Sequence, residues 1–255
     1  SGREQLVPRD LVYPPDKSRE DVDKDNDAEF KDSEDSAAYA ALGYLKYAPA
    51  VTVAEVNDSG PAKDKLQAGD AIDAVDGKPT ATLDEFTGLL KATKPGQQVV
   101  LDYRRKNAPA GTVTVTLGSH PDRDYGYLGV SVLNAPWAPF SIDFNLANIG
   151  GPSAGLMFSL AVVDKLTTGN LNDSKFVAGT GTIAPDGAVG PIGGITHKMS
   201  AARDAGATVF LVPAENCDEA VTGEQDGMRL VKVDTLGTAV DALHALSTGG
   251  DAPHC

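Results

Sequence analysis

The chain has 255 residues, 41% of them hydrophobic, which is enough for one large or two modest packed domains. A formal net charge of −14 and a pI near 4.6 withhold the basic surface that nucleic acid or anionic lipid would need, so neither is expected as a partner. Two cysteines, Cys217 and Cys255, permit one disulfide without demonstrating it; no His/Cys cluster has metal-site spacing, so no metal or cofactor is expected.

Residues 1 to 36 are dense in charge and carry Pro8, Pro14 and Pro15, which predicts an extended arm over their first part. From about Asp27 to Tyr44, Phe30, Ala37, Ala38, Ala41, Leu42 and Leu45 recur near helical spacing, with acids toward the N-terminal half, as in an amphipathic helix. Val51 to Val56 then alternates as a strand, Gly60-Pro61-Ala62 opens a short helix, and Leu66 to Ile72 turns into a second strand. Asp76-Gly77 marks a hairpin turn, and a helix from Leu83 to about Thr93 ends at Pro95-Gly96. Gln98 to Arg104 and Thr112 to Leu117 are further strands.

Gly126 to Val132 and Phe140 to Leu146 read as two more strands, leading to Asn-Ile-Gly-Gly-Pro-Ser-Ala-Gly at 148 to 155 and the apolar run Leu156 to Leu166. The glycines allow a tight turn and Pro152 suits the first helical position, so Ser153 is predicted in the first turn of a buried helix. Backbone N–H groups there, from Gly151 and Ser153, would stabilise an oxyanion forming beside the hydroxyl; the competing role for the serine is a helix cap. Further on, Val177 to Thr180 favours extended structure and Asp186-Gly187 a hairpin turn. Thr208 to Val212 and Leu230 to Val233 follow as strands, and Leu236 to Leu246 as a closing helix.

Gly151-Pro152-Ser153-Ala154-Gly155, then Pro191-Ile192-Gly193-Gly194 and Lys198, then an Ala-rich helix leading to Phe210-Leu211-Val212-Pro213, resembles the proteolytic domain of Lon-type serine proteases. That family uses a Ser-Lys dyad, so the resemblance implies Ser153 as nucleophile, Lys198 as base and Thr180 as the threonine that orients the amine. It also implies that the helix at 27 to 44 belongs to the catalytic domain. Many members have an Asp where this chain has Gly150. A lysine base needs its pKa lowered from about 10.4, and the apolar neighbours Ile192, Ile195 and Met199 are the residues that could desolvate it. No Gly-x-x-x-x-Gly-Lys-Ser/Thr occurs, so ATP-independent action is expected.

Ser59-Gly60-Pro61-Ala62, Leu66-x-x-Gly69-Asp70-x-Ile72 and Val75-x-Gly77 resemble a bacterial PDZ domain, a module that captures an extended peptide beside a sheet edge. The segment Tyr44 to Val51 takes the place of that family's glycine-rich carboxylate loop, departs from its pattern, and loses one backbone donor at Pro49. Tyr44, Lys46 and Val51 are the residues there that would meet a peptide. The expected fold is α+β, a Lon-type proteolytic domain of mixed sheets and packed helices plus a small β-rich PDZ-like module. Residues 1–45 give an arm and a helix of the catalytic domain, 46–118 the inserted module, and 119–255 the rest of the proteolytic domain.

The implied function is an ATP-independent serine endopeptidase acting on polypeptide or protein substrates, with the module binding or screening peptides. One alternative is a non-catalytic adaptor on the same scaffold. Another is a Ser-His-Asp hydrolase built on the Gly-x-Ser-x-Gly pattern at 151–155, with His244 and Asp204 or Asp218; His197 is then a bystander. Similar PDZ-containing relatives in bacteria are membrane-anchored, with the protease outside the cytoplasm. An extracytoplasmic position in the cell envelope is therefore expected, held by an anchor absent from these residues, and there Cys217 and Cys255 would form a disulfide. Homo-oligomerisation stays open.

Overall fold

The computed structural model describes residues 18–145, 151–173 and 175–255. They form two compact units. One spans Lys46–Ile142, and the other joins the described residues of Ser1–Leu45 to those of Asp143–Cys255. Of the predicted arm, residues 1–17 lie outside the described residues.

Helix α1 runs Arg19–Tyr44, starting earlier than the apolar spacing suggests. Ser18 accepts a hydrogen bond from Asp21 N at 3.1 Å while Asp21 Oδ2 accepts from Ser18 N at 3.2 Å, a reciprocal cap that satisfies two backbone donors. Glu20 and Asp21 in the first turn also complement the helix dipole. Charge density taken for an arm is thus partly a helix start. The inward stripe is Ser33, Ala37, Ala40, Ala41 and Leu42.

The inserted unit begins with strand β1 (Pro49–Val56), continues through β2 (Ala71–Val75) and β3 (Lys78–Pro79), and then forms helix α2 (Leu83–Lys91). β4 (Gln98–Arg104), β5 (Gly111–Thr116), the hairpin of β6 (Gly118–His120) and β7 (Arg123–Tyr127), and β8 (Val130–Pro136) complete it. Gly60 to Lys65 makes turns instead of the expected short helix. The main sheet has the order β5-β4-β2-β1-β8, with β3 attached to β2, and all its pairings are antiparallel. Val51, Val53, Ile72, Val75, Val99, Leu101 and Val115 from the sheet bury against Phe86 and Leu90 of α2.

The boundary expected at 118 is displaced. Residues 119–142 belong to the inserted unit because β8 pairs antiparallel with β1 from Pro49↔Pro136 to Val56↔Val130, closing that sheet instead of returning to the other unit. The single predicted strand at 126 to 132 is two, interrupted at Leu128-Gly129. Phe140 to Asn145 form no strand, and Leu146 lies outside the described residues.

The second unit resumes with a 3-10 turn, Pro152–Ala154, that leads into α3 (Gly155–Leu166). Strands β9 (Val177–Gly179), β10 (Thr182–Ile183) and β11 (Val189–Gly190), helix α4 (Ile195–Asp204), β12 (Val209–Pro213), the short helix α5 (Cys217–Ala220), β13 (Arg229–Val233) and α6 (Leu236–Ser247) follow. β13-β12-β9 form a parallel sheet and β10-β11 an antiparallel pair turning at Asp186-Gly187. Phe158 of α3 meets Phe30 of α1 edge-on at 5.7 Å and stacks on Phe144 at 4.8 Å. The architecture is α+β. No described helix is long and apolar enough to cross a membrane.

The inserted unit contains one fully buried acid. Asp70 accepts from Arg105 Nε at 2.8 Å and Nη2 at 2.7 Å and from Gln67 N at 2.9 Å. Arg105→Ala would strand that carboxylate. The expected loss is about 3 kcal/mol, the low end for breaking a buried pair, because 27% of the Arg105 side chain remains exposed. The sole tryptophan, Trp137, donates from Nε1 to Gly69 O at 3.0 Å beside Asp70, so its fluorescence during urea denaturation reads out the shift.

Candidate active site

Three elements of the second unit deliver one polar group each to a single point. The turn at Pro152–Ala154 supplies Ser153, the residue after β9 supplies Thr180, and α4 supplies Lys198. Lys198 Nζ donates to Ser153 Oγ at 2.6 Å and to Thr180 Oγ1 at 3.3 Å. Thr180 spends its own proton on Ser153 O at 2.9 Å, which turns an oxygen lone pair toward the amine. Gly181 N also donates to Ser153 O, at 2.9 Å, so the peptide after the serine is held from two sides.

Among the described residues no carboxylate forms an ion pair with Lys198. Burial alone pushes its pKa below the ordinary 10.5, since desolvation penalises the charged form. Ile195 and Met199, both fully buried, flank it on α4 and seal the helix onto the core. These are two of the three apolar neighbours named from the sequence; Ile192 is partly buried against the same cluster.

Ser153 sits in a 3-10 turn ahead of α3, a tighter start than the predicted helical turn, with Pro152 at its first position. Gly151 N lies 3.5 Å from Asn26 O of α1, the outer limit of a hydrogen bond. Gly150 and the residues before it back to Asn148 lie outside the described residues. No residue pattern marks the brace on the other side of the turn: Ser33 of α1, buried among acidic neighbours in the chain, donates to Pro152 O at 3.2 Å. Gly155 permits that approach, because a Cβ there would lie 2.7 Å from Ile183 Cγ2 and 3.0 Å from Ser33 Oγ. Of the hydrolase candidates, His244 is exposed on α6, and Asp204 pairs with Arg203. Cys217 and Cys255 are joined as a disulfide.

The residues expected to meet a peptide are not together at a sheet edge. Tyr44 ends α1 in the other unit, Lys46 is exposed with φ 65°, and Val51 is fully buried in β1 between Ile72 of β2 and Asn134 of β8. β1 lies inside the sheet, between β2 and β8. Among the described strands β8 is paired on one side only, and α2 packs beside it. Leu83, Leu89, Val130 and Val132 are the partly buried apolar residues of that helix and strand.

Residues 148–245 match the family model of the Lon protease (S16) C-terminal proteolytic domain, and residues 25–117 match that of the PDZ domain. The latter match starts inside α1, upstream of the inserted unit. Lon protease 2 of Bacillus subtilis is 33% identical over 95 residues, 37% of this chain and 17% of that protein. The archaeal Lon protease of Methanothermobacter thermautotrophicus is 35% identical over 100 residues, 38% of this chain and 15% of that protein. Among solved structures, the PDZ domain of the SdrC-like protein from Listeria monocytogenes is 27% identical, covers 33% of this chain and 87% of that one, and has a TM-score of 0.31. The matched region spans less than a fifth of these two curated relatives. Together the two family matches support a Lon-type serine protease domain accompanied by a PDZ domain.

The burial of Lys198 has a measurable sign. Its folded-state pKa lies below its unfolded one, so over the interval between them the unfolded chain binds more protons at this group and its contribution to native stability rises with pH, up to about 10.5. Lys198→Met should therefore be more stable than wild type at neutral pH, with the difference shrinking as pH rises. Paired urea titrations across that range check this; a difference independent of pH would show that the amine is not desolvated.

Proposed function

We propose that the chain is a serine endopeptidase in which Ser153 and Lys198 act as a dyad on polypeptide substrates. The observation that carries the reading is the 2.6 Å contact between Lys198 Nζ and Ser153 Oγ, made by an amine whose pKa burial lowers. A neutral Lys198 takes the proton of Ser153 as Oγ attacks the scissile carbonyl, then returns it to the leaving amine; water completes the cycle by hydrolysing the acyl-enzyme. Thr180 orients the amine through its lone pair, and the Ser153 N–H at the start of the turn is the oxyanion donor. These 255 residues contain no Walker motif, so the proposed reaction draws on no nucleotide.

The inserted unit captures extended polypeptide by adding it to the open side of β8 next to α2, with backbone pairing for affinity and the apolar residues of α2 and β8 for selection. The Cys217–Cys255 disulfide supports work in an oxidising compartment, the extracytoplasmic side of a bacterial envelope, with any membrane attachment lying outside this chain.

Without ATP, the wild-type chain should degrade an unfolded protein such as denatured casein, and Ser153→Ala or Lys198→Ala should each abolish this. Because the pair acts as a unit, the double variant should be little worse than either single one. Activity that survives Lys198→Ala and disappears in His244→Ala would transfer the case to a Ser-His-Asp hydrolase.

β1 and β8 leave the insertion side by side, with Pro49 paired to Pro136 and Trp137 N donating to Ala48 O at 3.1 Å. A short linker can therefore replace residues 46–142. Hydrolysis of a short peptide ester should be retained and degradation of denatured casein should weaken, because tethered capture raises local substrate concentration. Equal loss on both substrates would mean that the insertion serves only to support the proteolytic fold.

A further inference from the structure

The helix that carries Lys198 has an unusually free start. α4 begins directly after Gly193 and Gly194; Gly194 is its N-cap in the left-handed region at φ 67°, and no side chain caps the helix. Two glycines and an uncapped first turn do not define the direction in which a helix leaves a loop. The fixed point lies one residue upstream. Asn216 Oδ1 accepts from Ile192 N at 2.9 Å, and Asn216 Nδ2 donates to Ile192 O at 2.9 Å. A planar amide that meets both backbone groups of one residue sets that residue's orientation as well as its position. Asn216 is only 6% exposed, so water does not compete for either bond.

Asn216 is itself anchored. The next residue, Cys217, is bonded to Cys255. The tail leading to Cys255 lies along β13: Lys232 N donates to Pro253 O at 3.0 Å, and Val231 bridges to His254. Ile192, Cys217 and Cys255 all pack on the cluster that contains Ile195 and Met199, the two apolar neighbours of Lys198 on α4. From the tail through the disulfide to Asn216, and from Ile192 into α4, the connection is covalent, hydrogen-bonded or close-packed at each step.

We propose that Asn216, anchored by the Cys217–Cys255 disulfide, is a positioning residue that aims Lys198 at Ser153. The inference rests on the reading of those two residues as base and nucleophile. It adds a group that touches neither of them and sets the geometry through the Ile192 backbone.

The test counts turnover per functional serine. A fluorophosphonate that labels Ser153 measures the concentration of competent sites, and a short fluorogenic peptide measures kcat and KM. Displacements on the order of 1 Å from a reacting group can cost about 100-fold in rate, so Asn216→Ala should lower kcat per labelled serine by about 10-fold or more. KM should stay within about twofold, since substrate contacts are intact. Cys255→Ser, which frees the tail and keeps Asn216, should lower kcat in the same direction by a smaller factor. A residue that serves only stability would lower the melting temperature and the number of labelled sites while leaving kcat per site at the wild-type value, and that result in both variants overturns the inference. If Asn216→Ala yields no folded protein, Cys255→Ser decides alone: wild-type kcat per site overturns the proposal and reduced kcat supports it. Absence of Ser153-dependent hydrolysis in the wild-type chain overturns the protease reading itself, whereas an active wild type with unaffected variants overturns only the role of Asn216.

Discussion

A partly buried lysine amine whose near partners are hydroxyls is the constraint on which the proteolytic unit turns. Lys198 Nζ lies 2.6 Å from Ser153 Oγ and 3.3 Å from Thr180 Oγ1, and its environment disfavours the ammonium form. A carboxylate beside it would stabilise the charge and hold it as an acid; hydroxyls allow it to be neutral. Three elements distant in sequence have to converge within hydrogen-bond reach, so the surrounding packing is under tight geometric demand.

That demand explains features that are otherwise incidental. α1 reaches the serine turn twice, through Asn26 O and Ser33 Oγ. Gly155 removes the side chain that would hold α3 away from α1 and β10. Thr180 and Gly181 both secure the carbonyl of Ser153, so the turn is fixed from the β9 side as well as from the helix. Ile195 and Met199, fully buried, fix α4 to the core on the lysine side.

The inserted unit answers a different requirement. Its first and last strands pair with each other, so the two ends of that sheet's chain lie side by side and the insertion closes its own sheet. The same pairing makes Val51 an interior residue and places β8, like β5 at the opposite end, at an edge of the main sheet. Which strand stands at that edge thus follows from a long-range pairing, Ala50 with Ala135 and its neighbours.

The sequence by itself was enough for the α+β class of fold, and it singled out Ser153, Thr180 and Lys198, which the fold brings within hydrogen-bond reach of one another. Motifs around Ser153 and Lys198 are short and local, turn residues such as Asp186-Gly187 act within a few positions, and both speak through residue type alone. Helix α1 was legible from its apolar spacing, though its true start at the Ser18–Asp21 cap was hidden in a run of charge that local composition reads as an arm. What only the tertiary structure decided was pairing and contact between distant residues. The β1–β8 register moved the unit boundary and put Val51 inside the sheet; Ser33 and Asn216 found partners 119 and 24 residues away. A serine in a charged helix and an asparagine after a strand carry no local mark of such roles, because hydrogen bonds across the fold depend on where the backbone brings two segments together, and periodicity along one segment does not record that.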